Sequence, residues 1–348
     1  MIFGFWKNLQ KKAREENRPI LALAPMADVT DAAFRNIVAM VSKKKNSRKK
    51  FQEPVIFTEF VSVDGLCSRG RQRLLLDLKY GEKERPIVAQ LFGATPKNFF
   101  DAAKLCCELG FDGIDINMGC PEKNILKQGA CGALIKNPAL AKEIIYETKR
   151  GAEKIPVSVK TRIGFSKNEI ETWLPHLLET QPVAITIHGR TVKEMSKVPA
   201  QWDIISRAVE IRNECFRMNN AYITSEEKTL ILGNGDVKNL EDAYQKAKKY
   251  KVDGVMIGRA IFGNPWFFEN HIPSVEEKLL CLLLHAKLFE NIFQGAKNFS
   301  IMKKHFKAYA EGFSGAKELR ARLMETKNAQ EVENIIKNIP PIFFSGNT

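Results

Sequence analysis

The sequence lacks any long apolar run. No stretch approaches the roughly 18 consecutive apolar residues that a membrane span requires. The apolar opening Met-Ile-Phe-Gly-Phe-Trp is broken by Lys7 and then by Lys11, Lys12 and Arg14, with no small-residue cleavage site behind it. It therefore reads as a short amphipathic lead-in, residues 1–19, and not as a signal peptide. Paired cysteines are also missing. The chain has seven cysteines among 348 residues, irregularly spaced and with no Cys-x-x-Cys. That argues against a disulfide framework and against a bound metal, and it fits a reducing cytoplasm. Cys106 and Cys107 sit side by side in a helical pattern and are expected to pack. Acidic residues are under-represented: 40 against 54 basic ones, a formal charge of +14 and a pI near 9.4. Such a balance favours an anionic partner, with nucleic acid ahead of a membrane surface. The run Lys43-Lys44-Lys45-Asn46-Ser47-Arg48-Lys49-Lys50 contains no acid at all.

What is present is a rhythm. Short runs rich in Val, Ile, Leu and Phe recur at Ile20–Ala24, Val55–Phe60, Ile87–Phe92, Gly113–Asn117, Val157–Thr161, Ala184–His188, Leu230–Asn234 and Gly254–Ile257. They look like parallel strands covered on both faces. Helical patterns such as Asn98–Leu109, Ala139–Lys149 and Leu240–Tyr250 lie between them. Eight repeats over about 250 residues predict an α/β fold, a (β/α)₈ TIM barrel, across 20–270. A doubly wound sheet is the alternative, but no Gly-x-Gly-x-x-Gly follows the first strand to support a dinucleotide site there. Beyond Pro265 the pattern becomes helical, with Val275–Phe293, Ile301–Gly312, Ala316–Leu323 and Ala329–Asn338. This predicts a small helical bundle over 271–340. It carries Lys303, Lys304, Lys307, Lys317, Arg320 and Arg322.

Barrels gather functional residues where strands end. Polar residues and glycines concentrate at those ends here, while the strand bodies are apolar. The first strand runs into Pro25-Met26-Ala27-Asp28. The third contains Gln90, and the fourth leads through Asn117 to Cys120. The fifth carries Lys160 and Arg162, and the sixth ends in His188-Gly189-Arg190. The seventh ends in Asn234-Gly235-Asp236, and the eighth in Gly258-Arg259. Glycines after strands seven and eight let backbone N–H groups approach an anion, so a phosphorylated cofactor or substrate is expected there. Arg259 would add a charge-assisted contact. A lysine inside the apolar strand Val157-Ser158-Val159-Lys160 is costly to bury without an anionic counterpart. With the amide of Gln90, it suits a flavin ring. His188 is expected to contact cofactor or substrate. Cys120 is a thiol at a strand end, the position at which an α/β enzyme places its chemistry.

These segments resemble a known family. Leu23-Ala24-Pro25-Met26-Ala27-Asp28, Asn117-Met118-Gly119-Cys120-Pro121, Lys127 to Leu134, His188-Gly189-Arg190-Thr191, Gly233-Asn234-Gly235-Asp236 and Gly258-Arg259-Ala260 look like the FMN-dependent tRNA-dihydrouridine synthases. The motifs run in the family's order from about residue 20 to 325, and the helical tail resembles the family's RNA-binding domain. The basic insertion around Lys43–Lys50 and a lengthened Trp202–Thr229 segment depart from it.

The resemblance implies that Pro25, Met26 and Ala27 line the flavin, and that Gln90 and Lys160 bind its ring. Asn234, Gly235 and Asp236, then Gly258 and Arg259, would hold the phosphate end. Asn117, His188 and Arg190 would sit near base or cofactor, and Cys120 would be the general acid. The implied reaction reduces the C5=C6 bond of tRNA uridines, with FMN as cofactor, NADPH as reductant and tRNA as partner. The protein would act as a cytoplasmic monomer without a metal or a membrane. A thiol of ordinary pKa, roughly 8.5, would remain mostly protonated at pH 7. The competing reading is an FMN barrel oxidoreductase acting on a free pyrimidine or another small molecule.

Overall fold

The computed structural model describes residues 2–42, 53–219, 228–269 and 271–339. The basic run at 43–50 and part of the lengthened segment, 220–227, lie outside them. Eight parallel strands close into a barrel in sequence order. They are β1 (Ile20–Leu23), β2 (Val55–Ser62), β3 (Ile87–Phe92), β4 (Gly113–Met118), β5 (Val157–Arg162), β6 (Ala184–His188), β7 (Leu230–Asn234) and β8 (Gly254–Ile257). The expected TIM barrel is therefore present. The differences are at strand ends: β2 runs two residues past Phe60, with a register irregularity between Phe57 and Phe60. The segment after Trp202 folds as one long helix, Trp202–Asn219.

The chain packs as two compact units. The first comprises Met1–Pro25, Pro54–Leu78 and Arg85–Gly258, and contains the barrel. Its interior is apolar toward the N-terminal ends of the strands, where Ile20, Ala22, Val55, Phe57, Val88, Leu230, Leu232 and Met256 cluster. The lead-in is part of this core. It forms a helix, Phe5–Glu15, whose Trp6 is 1% exposed and joins the same cluster, with Phe3, Phe5 and Leu9 packed against it. Gly4 permits the entry: its φ is +50°, and a Cβ there would lie 2.9 Å from Pro156. One end of the barrel is thus sealed by apolar contacts, which directs polar chemistry to the other.

The second unit comprises Met26–Glu53, Lys79–Glu84 and Arg259–Thr348. The helix Ala32–Ser42 packs with the C-terminal helices Val275–Phe293, Met302–Tyr309, Ala316–Met324 and Ala329–Lys337 around Phe289, Phe293, Met302, Phe306, Leu319 and Val332. Ser274 and Glu277 form a reciprocal capping box on the longest of these helices, satisfying two N–H groups that a helix start leaves open. A buried ion pair, Arg35 Nε to Glu84 at 2.7 Å, joins two of the three stretches. Arg35 also donates to the carbonyls of Thr30 and Lys79, so its charge is well compensated.

Candidate active site

Strand alternation brings the first cluster together. On β4, Asp115 and Asn117 share the inward face, and on β5 so do Ser158 and Lys160. Register sets Gln90 beside Asp115, Asp115 beside Ser158, and Asn117 beside Lys160. The side chains then connect. Gln90 Nε2 donates to Asp115 at 2.6 Å, Ser158 Oγ donates to Asp115 at 2.6 Å, and Asn117 Nδ2 donates to Gln90 Oε1 at 3.0 Å. Asn117 Oδ1 accepts from the backbone N–H groups of Gly119 and Cys120, both at 3.0 Å. A continuous chain of hydrogen bonds therefore runs from β5 through β4 and β3 to the thiol-bearing loop.

Burial tunes the charges in this cluster. Asp115 is pushed up to about 6 by burial, against the opposing hydrogen bonds from Ser158 and Gln90. Lys160 is pulled down to about 8, chiefly by burial and then by the neighbouring Arg162 cation. Gln90 is 0% exposed and Asn117 8%, while Lys160 is partly exposed. Gln90 is taken up in the network through both ends of its amide, and Lys160 is the more exposed end of the cluster.

Cys120 stands where β4 gives way to its loop. Arg162, itself buried, donates from Nε to the carbonyl of Gly119 at 2.7 Å, and from Nη1 to the carbonyls of Thr191 and Met195 at 3.0 and 3.1 Å. The Cys120 thiol is lowered to about 7. The causes are a hydrogen bond from the Cys131 thiol, one from the Glu122 backbone N–H, and the Arg162 and Lys160 cations, against burial, which raises it. An ordinary, mostly protonated thiol was expected. These donors and cations make it more acidic than that.

A second cluster lies at the ends of β5, β6 and β7, where register aligns Arg162, His188 and Asn234. The Arg190 guanidinium, 3% exposed, pairs with Asp236, lies 3.2 Å from His188 Nε2 and donates to the Val198 carbonyl. Asp236 also accepts from the Ala200 N–H at 2.8 Å. Arg190 thus braces the loop after β7 through Asp236. Asn234 donates to the Met256 carbonyl at 2.8 Å, tying β7 to β8. Gly235 has a φ of +120°, and a Cβ there would come within 2.7 Å of Ala200. Pro25 and Gly258 close β1 and β8 in the same unit. Met26, Ala27 and Arg259, the next residues along the chain, belong to the other unit. There Met26 N–H donates to Thr30 Oγ1 at 2.8 Å, and Arg259 opens a short 3₁₀ turn.

Comparison with known proteins gives this geometry a context. Residues 22–341 match the family model described as dihydrouridine synthase (Dus). The chain belongs to the dihydrouridine synthase family. The enzymes of this family are flavin-dependent oxidoreductases, and that is the class of this chain. It is 37% identical over 351 residues to a Bacillus subtilis protein named probable tRNA-dihydrouridine synthase 2, covering 99% of each chain. It is also 37% identical to a Staphylococcus aureus probable tRNA-dihydrouridine synthase, covering 96% of this chain and 94% of that one. Among solved structures, a 6-hydroxypseudooxynicotine amine oxidase from Pseudomonas geniculata superposes with a TM-score of 0.52. The identity is 11%, over 83% of this chain and 52% of that one. A histamine dehydrogenase from Rhizobium gives 0.50 at 11% identity, over 78% and 49%. Both likenesses are of fold.

Sequence reasoning passed over Asp115, Ser158 and Cys131 and left Arg162 without a role. Two of these had a readable signal. Asp115 and Ser158 each precede a chosen residue by two positions, so strand alternation puts them on the same face. Cys131 had none, because its contact with Cys120 is made by a turn of the chain that spacing does not reveal.

Proposed function

We propose that this dihydrouridine synthase reduces the C5=C6 bond of uridines in tRNA, with FMN as its flavin and NADPH as the reductant. The observation that carries the reading is the thiol of Cys120, held at the end of β4 by Asn117 and Arg162 beside the Lys160 cation. The full-length likeness to proteins named as tRNA-dihydrouridine synthases supports tRNA as the substrate.

The residues present fit a flavin. Lys160 makes no ion pair among the described residues, and burial already disfavours its charge. An electron-rich ring edge would relieve that cost. Asn117 keeps one N–H beyond the bonds it makes. In this reading Asn117 and Lys160 face the ring, Gln90 fixes Asn117 from behind, and Pro25 flanks it. Asn234, Gly235, Asp236 and Gly258 hold the phosphate end, with His188 beside them and Arg190 bracing Asp236. When bound, FMN supplies the hydride that C6 of the uracil receives, having been reduced by NADPH.

Cys120 completes the reduction by giving its S–H proton to C5. The resulting thiolate is stabilised by the Cys131 thiol, the Glu122 N–H and the two cations. It recovers its proton from solvent before the next turnover. Replacing Cys120 with Ala removes the acid and leaves the flavin contacts in place. The variant is expected to purify with flavin at the wild-type ratio and to form dihydrouridine about 10²- to 10⁴-fold more slowly. Wild-type turnover in C120A would sink the assignment. Mapping dihydrouridine in tRNA from cells lacking the protein would then show which positions depend on it.

A further inference from the structure

After β2 the chain reads Ser68-Arg69-Gly70-Arg71-Gln72-Arg73, with three arginines at alternate positions and no acid between Gly65 and Leu76. The segment is ordered by its own contacts. Ser62 Oγ accepts from the Gly65 N–H at 3.2 Å and caps the short helix Val63–Leu66. Ser68 Oγ donates to the Gly65 carbonyl at 2.8 Å and accepts from the Gly70 N–H at 3.0 Å. The N–H groups of Arg71 and Arg73 donate to the carbonyls of Ser68 and Gly70 at 3.2 and 3.1 Å, and a second short helix, Arg71–Leu74, forms there. Leu74 fills the space that a side chain at Gly65 would need: a Cβ there would lie 2.3 Å from Leu74 Cδ1. Asn98 Nδ2 donates to Asp64 at 2.7 Å and ties the segment to the helix Pro96–Glu108.

The three arginines are exposed, and their side chains make no ion pair or hydrogen bond among the described residues. Other arginines of the same unit are matched: Arg85 with Asp112, Arg150 with Glu147, and Arg207 with Glu171, Glu210 and Glu214. Because β2 and β4 run parallel in one barrel, the arginines stand at the same end as Cys120. There the loop after β4 adds Lys123 and Lys127, also exposed and without an ion pair among the described residues. Acids in these segments are already engaged: Glu122 caps the helix Lys123–Lys127, Asp64 accepts from Asn98, and Asp101 pairs with Lys97. Uncompensated cations on two ordered loops exceed what one small anion can use. They suit an extended polyanion, and a guanidinium matches a phosphate with two parallel N–H donors. We propose that Arg69, Arg71 and Arg73, with Lys123 and Lys127, form a rim that docks the phosphodiester backbone of tRNA at the end of the barrel that carries Cys120. This rests on tRNA as the substrate. Such contacts place the RNA without reading its sequence.

The test is tRNA binding by the purified holoenzyme, measured by fluorescence anisotropy across a salt series. The variant Arg69→Ala/Arg71→Ala/Arg73→Ala loses the arginine contacts to phosphate. Its slope of log affinity against log salt should become shallower by about 2 to 3, and its affinity at about 100 mM salt should fall about 100-fold. Arg69→Lys/Arg71→Lys/Arg73→Lys keeps the charge and should keep most of the slope. Lys7→Ala/Lys11→Ala/Lys12→Ala removes as much charge from the lead-in helix, at the other end of the barrel, and should cost less than about threefold. Flavin content at the wild-type ratio shows that each variant is folded. Equal affinity and slope in the wild type and the arginine-to-alanine variant, or equal losses in the two alanine variants, would overturn the rim while tRNA stood as the substrate. A wild type that does not bind tRNA would overturn both, so the two failures are told apart.

Discussion

Asp115 ties three strands of the barrel together through one buried carboxylate. It is 1% exposed and receives two short hydrogen bonds, from Gln90 and Ser158. Removing it as Asp115→Ala leaves both donors buried without partners. Each such group costs about 1–3 kcal/mol. The variant is therefore expected to lose about 2–5 kcal/mol in denaturant melts at pH 7 and to purify with less flavin, because Gln90 no longer fixes Asn117. Asp115→Asn keeps an acceptor and should lose less. Equal stability of all three proteins would show that the network does not hold the site.

At the scale of elements, the C-terminal helices carry an unusual buried pair. His285 and His305 sit on adjacent helices with ring centroids 4.4 Å apart, and Phe34 and Phe262 stack on His305. Both histidines are 0% exposed, and none of their ring nitrogens has a hydrogen-bond partner among the described residues. Burial drives His305 down to about 3 and holds His285 well below the usual histidine value. Above about pH 6.5 both are neutral whether the chain is folded or not. As pH falls below that, the unfolded chain takes up protons that the folded unit refuses, so stability falls. The slope is about 1.4 kcal/mol per pH unit for each histidine. His305→Leu should be near neutral at pH 8 and should lose about 2 kcal/mol less than wild type between pH 7 and 5, measured by urea unfolding. An unchanged pH dependence would mean that His305 takes up its proton in the folded state.

For the molecule as a whole, the excess of 14 positive charges is the property most relevant to a polyanionic substrate. Counterion release makes the affinity for nucleic acid steeply salt-dependent. If four phosphates are neutralised, tRNA affinity should fall about 100-fold between 50 and 200 mM salt. A dissociation constant that hardly moves across that range would argue for the small-molecule alternative. Not every basic side chain contributes. Lys304 is paired with Asp28 at 2.8 Å, and Arg320 donates to the Ala310 carbonyl, so a count of lysines and arginines overstates what is available.

The sequence by itself determined the barrel, because eight apolar runs of strand length separated by helical periodicity leave few other ways to bury them. It also determined the strand-end positions of Asn117, Cys120, Lys160, His188 and Asn234, since strand ends are where the apolar pattern stops. Only the tertiary structure decided what those side chains do. Gln90 and Arg190 look like ligand contacts in the sequence; the structure adds that each has a carboxylate partner, Asp115 and Asp236, on neighbouring strands and loops. The helix Ala32–Ser42 packs with helices more than two hundred residues away, and Trp6 closes the barrel from the other end of the chain. Local pattern records burial and periodicity. Partnership between distant residues depends on register and loop path, and those exist only once the barrel has closed.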